Sequence, residues 1–168
     1  MLKVRLTERN WRANGSYGHY FVVKGMGVKI PYCHGCADND DFESSTLNQC
    51  RTCHRSAYME LRRLRMAYRA RKVLGVGIPR PFGLVAARAN SVRLIGVAME
   101  HIKGDYPSED AYDEFLESDC PALSYVYDGH RQNFIVSKTG EWYRIDLGTF
   151  DFEPKFKRRL RAILRRKA

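Results

Sequence analysis

Two Cys-x-x-Cys pairs constrain this chain more than any other feature: Cys33-His34-Gly35-Cys36 and Cys50-Arg51-Thr52-Cys53, with 13 residues between them. Two thiolates at i and i+3 of a tight turn can hold one edge of a tetrahedral ion, and a second such turn completes a four-sulfur set. Gly35 falls where such a knuckle bends and a permissive backbone is needed. The intervening stretch, ADNDDFESSTLNQ, is too polar to form a core and suits a loop. The pattern predicts a structural zinc bound by Cys33, Cys36, Cys50 and Cys53, closed to substrate because four protein ligands leave no open position. The competing reading is four thiols that are unrelated or redox-active. His34 and His54 adjoin the cysteines and could replace one of them. Cys120 stands apart and reads as a small buried residue.

The opening MLKVRLTERNWR has no apolar core of signal-peptide length, and without export a disulfide framework is not expected. No apolar run approaches the roughly 18 residues of a membrane helix. These points predict a cytoplasmic protein with no membrane span. At 168 residues, with 44% hydrophobic and 29% charged residues, the chain suits one globular domain over 1–168. The cysteine segment 33–53 then reads as an insertion.

The order of elements predicts an α+β protein with a mainly antiparallel N-terminal sheet. LKVRL, HYFVVKG and VKIPY read as strands, the last two joined by a Gly25-Met26-Gly27 turn. A helix is expected from about Ser56 to Leu74, with Leu61, Leu64 and Tyr68 inward and Gly75 at its end. GIPRPFG is a connector to two further strands, FGLVAARA and SVRLIGVAMEHI. Ser108 can cap a short acidic helix that turns Tyr112, Phe115 and Leu116 inward. SYVYDG, NFIVS and EWYRIDLG read as short strands and turns, and the residues from Pro154 as a basic helix over 154–168.

Several polar residues fall in a telling order. Asp128-Gly-His-Arg-Gln-Asn133 has the D-x-x-x-x-N spacing of a kinase catalytic loop, and Asp146-Leu147-Gly148 follows after a strand–turn–strand, like the metal-binding DFG triplet. Upstream, Val28-Lys29-Ile30 is similar to the VAIK lysine segment, one hairpin after Gly15-Ser16-Tyr17-Gly18. Glu60 is the one acid in the helix that follows. Met99-Glu100-His101-Ile102 looks like a hinge that runs along an adenine ring. Singly, Lys29 and Glu60 could be a surface pair, Asp128-Gly129 an ordinary turn and Asp146 a strand-end cap. As an ordered set over roughly residues 10–150, they resemble the protein-kinase-like superfamily, particularly its small prokaryotic and phage-type members.

That resemblance implies an antiparallel N-lobe sheet, one αC-like helix and a miniature C-lobe. It implies ATP–Mg binding and transfer of the γ-phosphate to a hydroxyl acceptor, with Ser/Thr or a sugar-type hydroxyl the candidates. Lys29 would hold the α/β phosphates and Glu60 would orient it. Asn133 and Asp146 would ligate Mg²⁺ with oxygen, and Asp128 would accept the acceptor's proton. Gly15, Ser16 and Gly18 would lie over the phosphates, and Glu100 and Ile102 along the base. Val126-Tyr127 stands where many kinases have His-Arg, and 20 residues follow Gly148. No platform for docking a peptide is then expected, which motivates one alternative, a catalytically weak pseudokinase-like scaffold; a zinc knuckle beside a basic helix motivates another, a zinc-containing nucleic-acid-binding module.

The formal net charge is +10. Eight Lys/Arg against two acids fall within 151–168, and further arginines line the 56–74 helix. A charge run is usually a solvated face. Concentrated in this way, it predicts a polyanionic partner, either nucleic acid or an acidic protein, met through the basic helices.

Overall fold

The computed structural model describes residues 1–15, 18–33, 36, 49–118 and 130–146. The chain divides into two compact units. One comprises Met1–Arg65 with Pro79–Ile102, the other Met66–Ile78 with Lys103–Ala168.

The first unit is built on a six-stranded sheet. In chain order its strands are β1 (Leu2–Leu6), β2 (Trp11–Gly15), β3 (Gly18–Val23), β4 (Met26–Pro31), β5 (Pro81–Ala89) and β6 (Val92–Glu100). Their order across the sheet is β1-β5-β6-β4-β3-β2. Every pairing is antiparallel except β1 with β5, where Leu2 meets Val85 and Leu6 meets Ala89 in parallel register. The mainly antiparallel α+β expectation therefore holds, with one parallel edge added.

Alternation sets the core. Val28 and Ile30 of β4, Val85, Ala87 and Ala89 of β5, and Leu94 and Ala98 of β6 recur at period two and pack with Phe21, Leu6, Tyr32 and Cys53. Two details correct the sequence reading. The β3–β4 turn is Lys24-Gly25, whose φ angles of 51° and 76° give the left-handed pair a two-residue hairpin requires. Met26 and Gly27, expected in that turn, instead lie in β4. Residues 11–15 also form a strand that the sequence pattern did not mark.

Helix α1 runs Arg51–Leu74, so it starts five residues earlier than its hydrophobic pattern suggested. Cys53, Ala57, Glu60, Leu61, Leu64, Ala67, Ala70 and Leu74 make one buried stripe at helical spacing. Ala67 fills the place expected of Tyr68. That tyrosine stays half-buried, with the Arg71 guanidinium 4.1 Å above its ring. The first part of α1 belongs to the first unit and the remainder to the second. Gly75, with φ 71°, ends it as expected.

Gln49, just before α1, inserts its side chain between β4 and β6 beyond the last paired residues, Lys29 and Val97. Its amide nitrogen donates to the carbonyls of Pro31 (2.8 Å) and Ile95 (2.9 Å), and its amide oxygen accepts from the Ile95 N–H (2.6 Å). A primary amide carries the same donor and acceptor as a peptide group, so one side chain continues the ladder where the strands part.

The second unit holds a smaller sheet of β7 (Gly104–Asp105), β8 (Phe134–Ser137) and β9 (Trp142–Arg144), in which β8 pairs with both of the others. Helix α2 (Glu109–Glu117) opens with the expected cap: the Ser108 Oγ accepts from the Ala111 N–H at 3.2 Å. Phe115 stacks on Trp142 at 4.3 Å between ring centroids and meets Phe134 edge-on at 5.3 Å, while Tyr112 also contacts Phe134. Leu116, expected inward, is 46% exposed because the helix turns only Tyr112 and Phe115 toward these rings. After α1, Gly77 joins β9: its N–H donates to the Trp142 carbonyl and its carbonyl accepts from the Arg144 N–H. The expected SYVYDG segment, Cys120 and the basic helix over 154–168 fall outside the described residues.

Replacing Gln49 by Ala removes all three side-chain hydrogen bonds and should cost about 1–3 kcal/mol in urea unfolding. A loss of under about 0.3 kcal/mol would show that water satisfies these backbone groups equally well.

Candidate functional site

Four cysteines converge from two places in the first unit. Cys33 follows β4. Cys36 lies three residues on, held by its N–H donating to the Cys33 carbonyl at 2.9 Å. Cys50 immediately precedes α1 and Cys53 lies in its first turn. The second pair therefore sits on a helix start rather than in a free knuckle, and the insertion expected over 33–53 overlaps α1. Each pair of sulfurs lies within 4.8 Å, with Cys33–Cys50 at 3.5 Å and Cys50–Cys53 at 3.7 Å. A tetrahedral ion with metal–sulfur bonds of about 2.3 Å needs sulfurs about 3.8 Å apart, so the set is compatible with a structural metal such as zinc. The Cys33 N–H also donates to the Cys53 sulfur at 3.3 Å, the kind of outer contact that orients a ligand. Hydrogen bonding from the Cys53 backbone N–H, chiefly, draws the Cys50 thiol down to about 6, whereas burial pushes Cys53 up to about 12. Tyr32 beside them is held protonated, first by burial and then by the neighbouring Cys53 and Cys36. His34 and Gly35 lie outside the described residues.

A second constellation sits on the sheet. Lys29 lies in β4 opposite Tyr20 of β3 and Val97 of β6. Its ammonium stands 3.0 Å from a carboxylate oxygen of Glu60 in α1, and the two side chains are only 12% and 7% exposed. Glu60 is buried and Lys29 nearly so, which removes the reading of the two as a surface ion pair. Burying such a pair brings little net stability, since desolvation offsets the attraction.

Gly15 and Gly18 pair across the β2–β3 hairpin, and the link between them, Ser16-Tyr17, lies outside the described residues. A Cβ at Gly18 would lie 2.7 Å from the Ile30 carbonyl oxygen, so close approach to β4 already demands glycine there. Glu100 ends β6 and is exposed; its carboxylate accepts from the Arg80 N–H at 3.1 Å. Ile102 is buried.

Tyr20 was not singled out from the sequence. Its ring lies over Gly27, where a Cβ would collide with the phenol hydroxyl, and that hydroxyl meets Nδ1 of His101 at 3.1 Å. Burial pushes the phenol up to about 12, so it stays protonated at neutral pH and is available to donate. The signal was available in hindsight: a glycine two residues before Lys29 leaves room for a large ring from the paired strand.

In the second unit the β8–β9 hairpin brings Asn133 and Asp146 to neighbouring positions. Phe134 pairs with Arg144, and the Ile145 N–H donates to the Asn133 carbonyl at 2.9 Å. Both side chains are half-buried. The buried Arg144 donates from Nε to the Asp146 carbonyl at 3.2 Å, fixing the backbone there. Asp128 lies outside the described residues, as do Leu147 and Gly148. Among the described residues no helix is long and apolar enough to cross a membrane.

No protein-family model matches the chain, and a search of the curated proteins returns no match.

The purified chain should carry about one zinc per molecule. Chelation, or the variants Cys36→Ser and Cys50→Ser, should lower the melting temperature by roughly 5–15 °C. Metal-free protein that melts unchanged would exclude the ion.

Proposed function

We propose that the chain is a kinase-like phosphotransferase that uses ATP and magnesium and passes the γ-phosphate to a hydroxyl acceptor. The observation that carries this reading is the nearly enclosed Lys29–Glu60 pair, which bridges a central strand and the helix that follows it. An ammonium fixed by a carboxylate can meet a phosphate chain from a set direction. The neighbouring backbone positions of Asn133 and Asp146 support the same reading, since a hard cation takes oxygen ligands from such residues. ATP would supply the γ-phosphoryl group, and magnesium the charge that offsets its oxygens. Lys29 would hold the α/β phosphates while Glu60 fixes its direction. Asp128 would take the acceptor's proton as the new phosphorus–oxygen bond forms and the bond to the departing ADP breaks. The four-cysteine group, with zinc bound, would act as a structural clasp for α1.

One observation favours a second reading, a scaffold of kinase-like descent that excludes the nucleotide. Tyr20 covers Gly27 and bonds His101, within the segment likened to an adenine-binding hinge. An adenine there would have to displace the Tyr20 ring.

ATP with magnesium should raise the melting temperature of the wild-type chain, and Asp146→Ala should abolish the shift. Lys29→Ala should lower phosphate transfer by about 10²–10³-fold. Full transfer by both variants would end the phosphotransferase reading. A shift seen in Tyr20→Ala and absent from the wild type would establish the excluded-nucleotide scaffold instead.

A further inference from the structure

The β1–β5–β6 side of the first unit's sheet carries a charge arrangement that the phosphotransferase reading does not use. Register sets Arg5 opposite Arg88, and Arg88 opposite Arg93. Directly opposed residues share a face, so three arginines form one row across three neighbouring strands. Lys3, two residues before Arg5, shares that face. All four side chains are exposed. With Asn90 and the small Ala86 they line a cleft of about 830 Å³. No carboxylate is among its lining residues, and none of the four cations has an acidic partner among the described residues.

Like charges placed directly opposite one another destabilise a sheet. Charges on β1 have an ordinary explanation, because β1 is an edge strand and charge deters unwanted pairing. Arg88 does not share it. Strand β5 lies inside the sheet, between β1 and β6, and has no edge to protect. Solubility needs charge but no register. A repulsive row aligned residue by residue is explained by an anion that sits on it.

We infer that this cleft binds the phosphodiester backbone of a nucleic-acid strand. The planar guanidinium fork matches phosphate oxygens, and the net charge of +10 supplies long-range attraction. Cationic positions recur about every 4.8 Å across the strands and about every 6.6 Å along β1. Such a grid suits a ligand whose anionic groups repeat along a line. A broad, flat bilayer surface does not enter a recess. An acidic peptide presents carboxylates on mobile side chains that point in alternating directions, which a fixed grid does not match. A row of cations repeating along a line matches the phosphates of a strand, so recognition is through the backbone, which carries no sequence information directly. This surface is separate from the basic helices to which the sequence pointed.

The test uses the full chain and a fluorescein-labelled oligothymidylate of about 20 nucleotides, read by anisotropy at several salt concentrations. Binding at low salt should weaken with a log–log slope of about −3, from four contacts at about −0.7 each. The double variant Arg88→Ala/Arg93→Ala should bind at least about tenfold more weakly, with the slope reduced by about 1.4. Its melting temperature should hold or rise, because repulsion is relieved. Removing the same charge from α1, through exposed Arg62 and Arg65 changed to Ala, should do less. Absence of binding at low salt would overturn the inference, as would an unchanged slope in the sheet variant or an equal loss from the helix variant. So would a lower melting temperature of the sheet variant, or stronger competition from polyglutamate or phosphatidylserine vesicles than from unlabelled oligonucleotide.

Discussion

The four-sulfur convergence of Cys33, Cys36, Cys50 and Cys53 is the constraint on which the candidate chemistry depends. It ties the end of β4 to the start of α1, and α1 in turn carries Glu60 to Lys29. Gln49 repeats the tie one residue earlier with its amide bonds to β4 and β6. Cys53, Ala57 and Glu60 then follow on one buried stripe of the helix. A shift of α1 by one residue would rotate that stripe by about 100° and carry the carboxylate away from the ammonium. The cluster thus acts on Lys29 at a distance, by fixing the rotation of a helix.

Two opposite uses of positive charge stand on the same sheet. Lys29 is nearly enclosed and paired with a carboxylate, so its position is well defined and its field is local. Arg5, Arg88 and Arg93 are open to solvent and stand in line without acidic partners among the described residues. The first arrangement suits a fixed contact with one small polyanion, the second an extended one whose binding follows ionic strength.

Much of this was legible in the sequence, for identifiable reasons. The cysteine spacing, the alternation in β4–β6, the Ser108 cap and the strand–turn–strand between Asn133 and Asp146 are local signals, and each reappears in place. Non-local events were not legible. The start of α1 is set by where Cys50 and Cys53 must stand, so it precedes the hydrophobic periodicity that begins near Ser56. Strand β2 carries little alternation and exists because β3 pairs with it. The arginine row depends on the parallel register of β1 with β5, which nothing within five residues of Arg5 encodes. Tyr20 became notable only once β3 and β4 were aligned so that Gly27 lay beneath its ring.

The parallel edge also bears on the order in which the molecule can be assembled during synthesis. Strands β2, β3 and β4 join through tight hairpins, and the cysteine pairs lie close behind them in the chain, so these parts can form as soon as they leave the ribosome. Strand β1 emerges before all of them, yet its partner begins at Pro81, and Leu2 must wait for Val85. Until then an early-made strand with Leu2 and Val4 on it lacks its sheet partner, and charge such as that of Lys3 and Arg5 disfavours pairing with a wrong chain. The same side chains that line the finished cleft would guard the unfinished one.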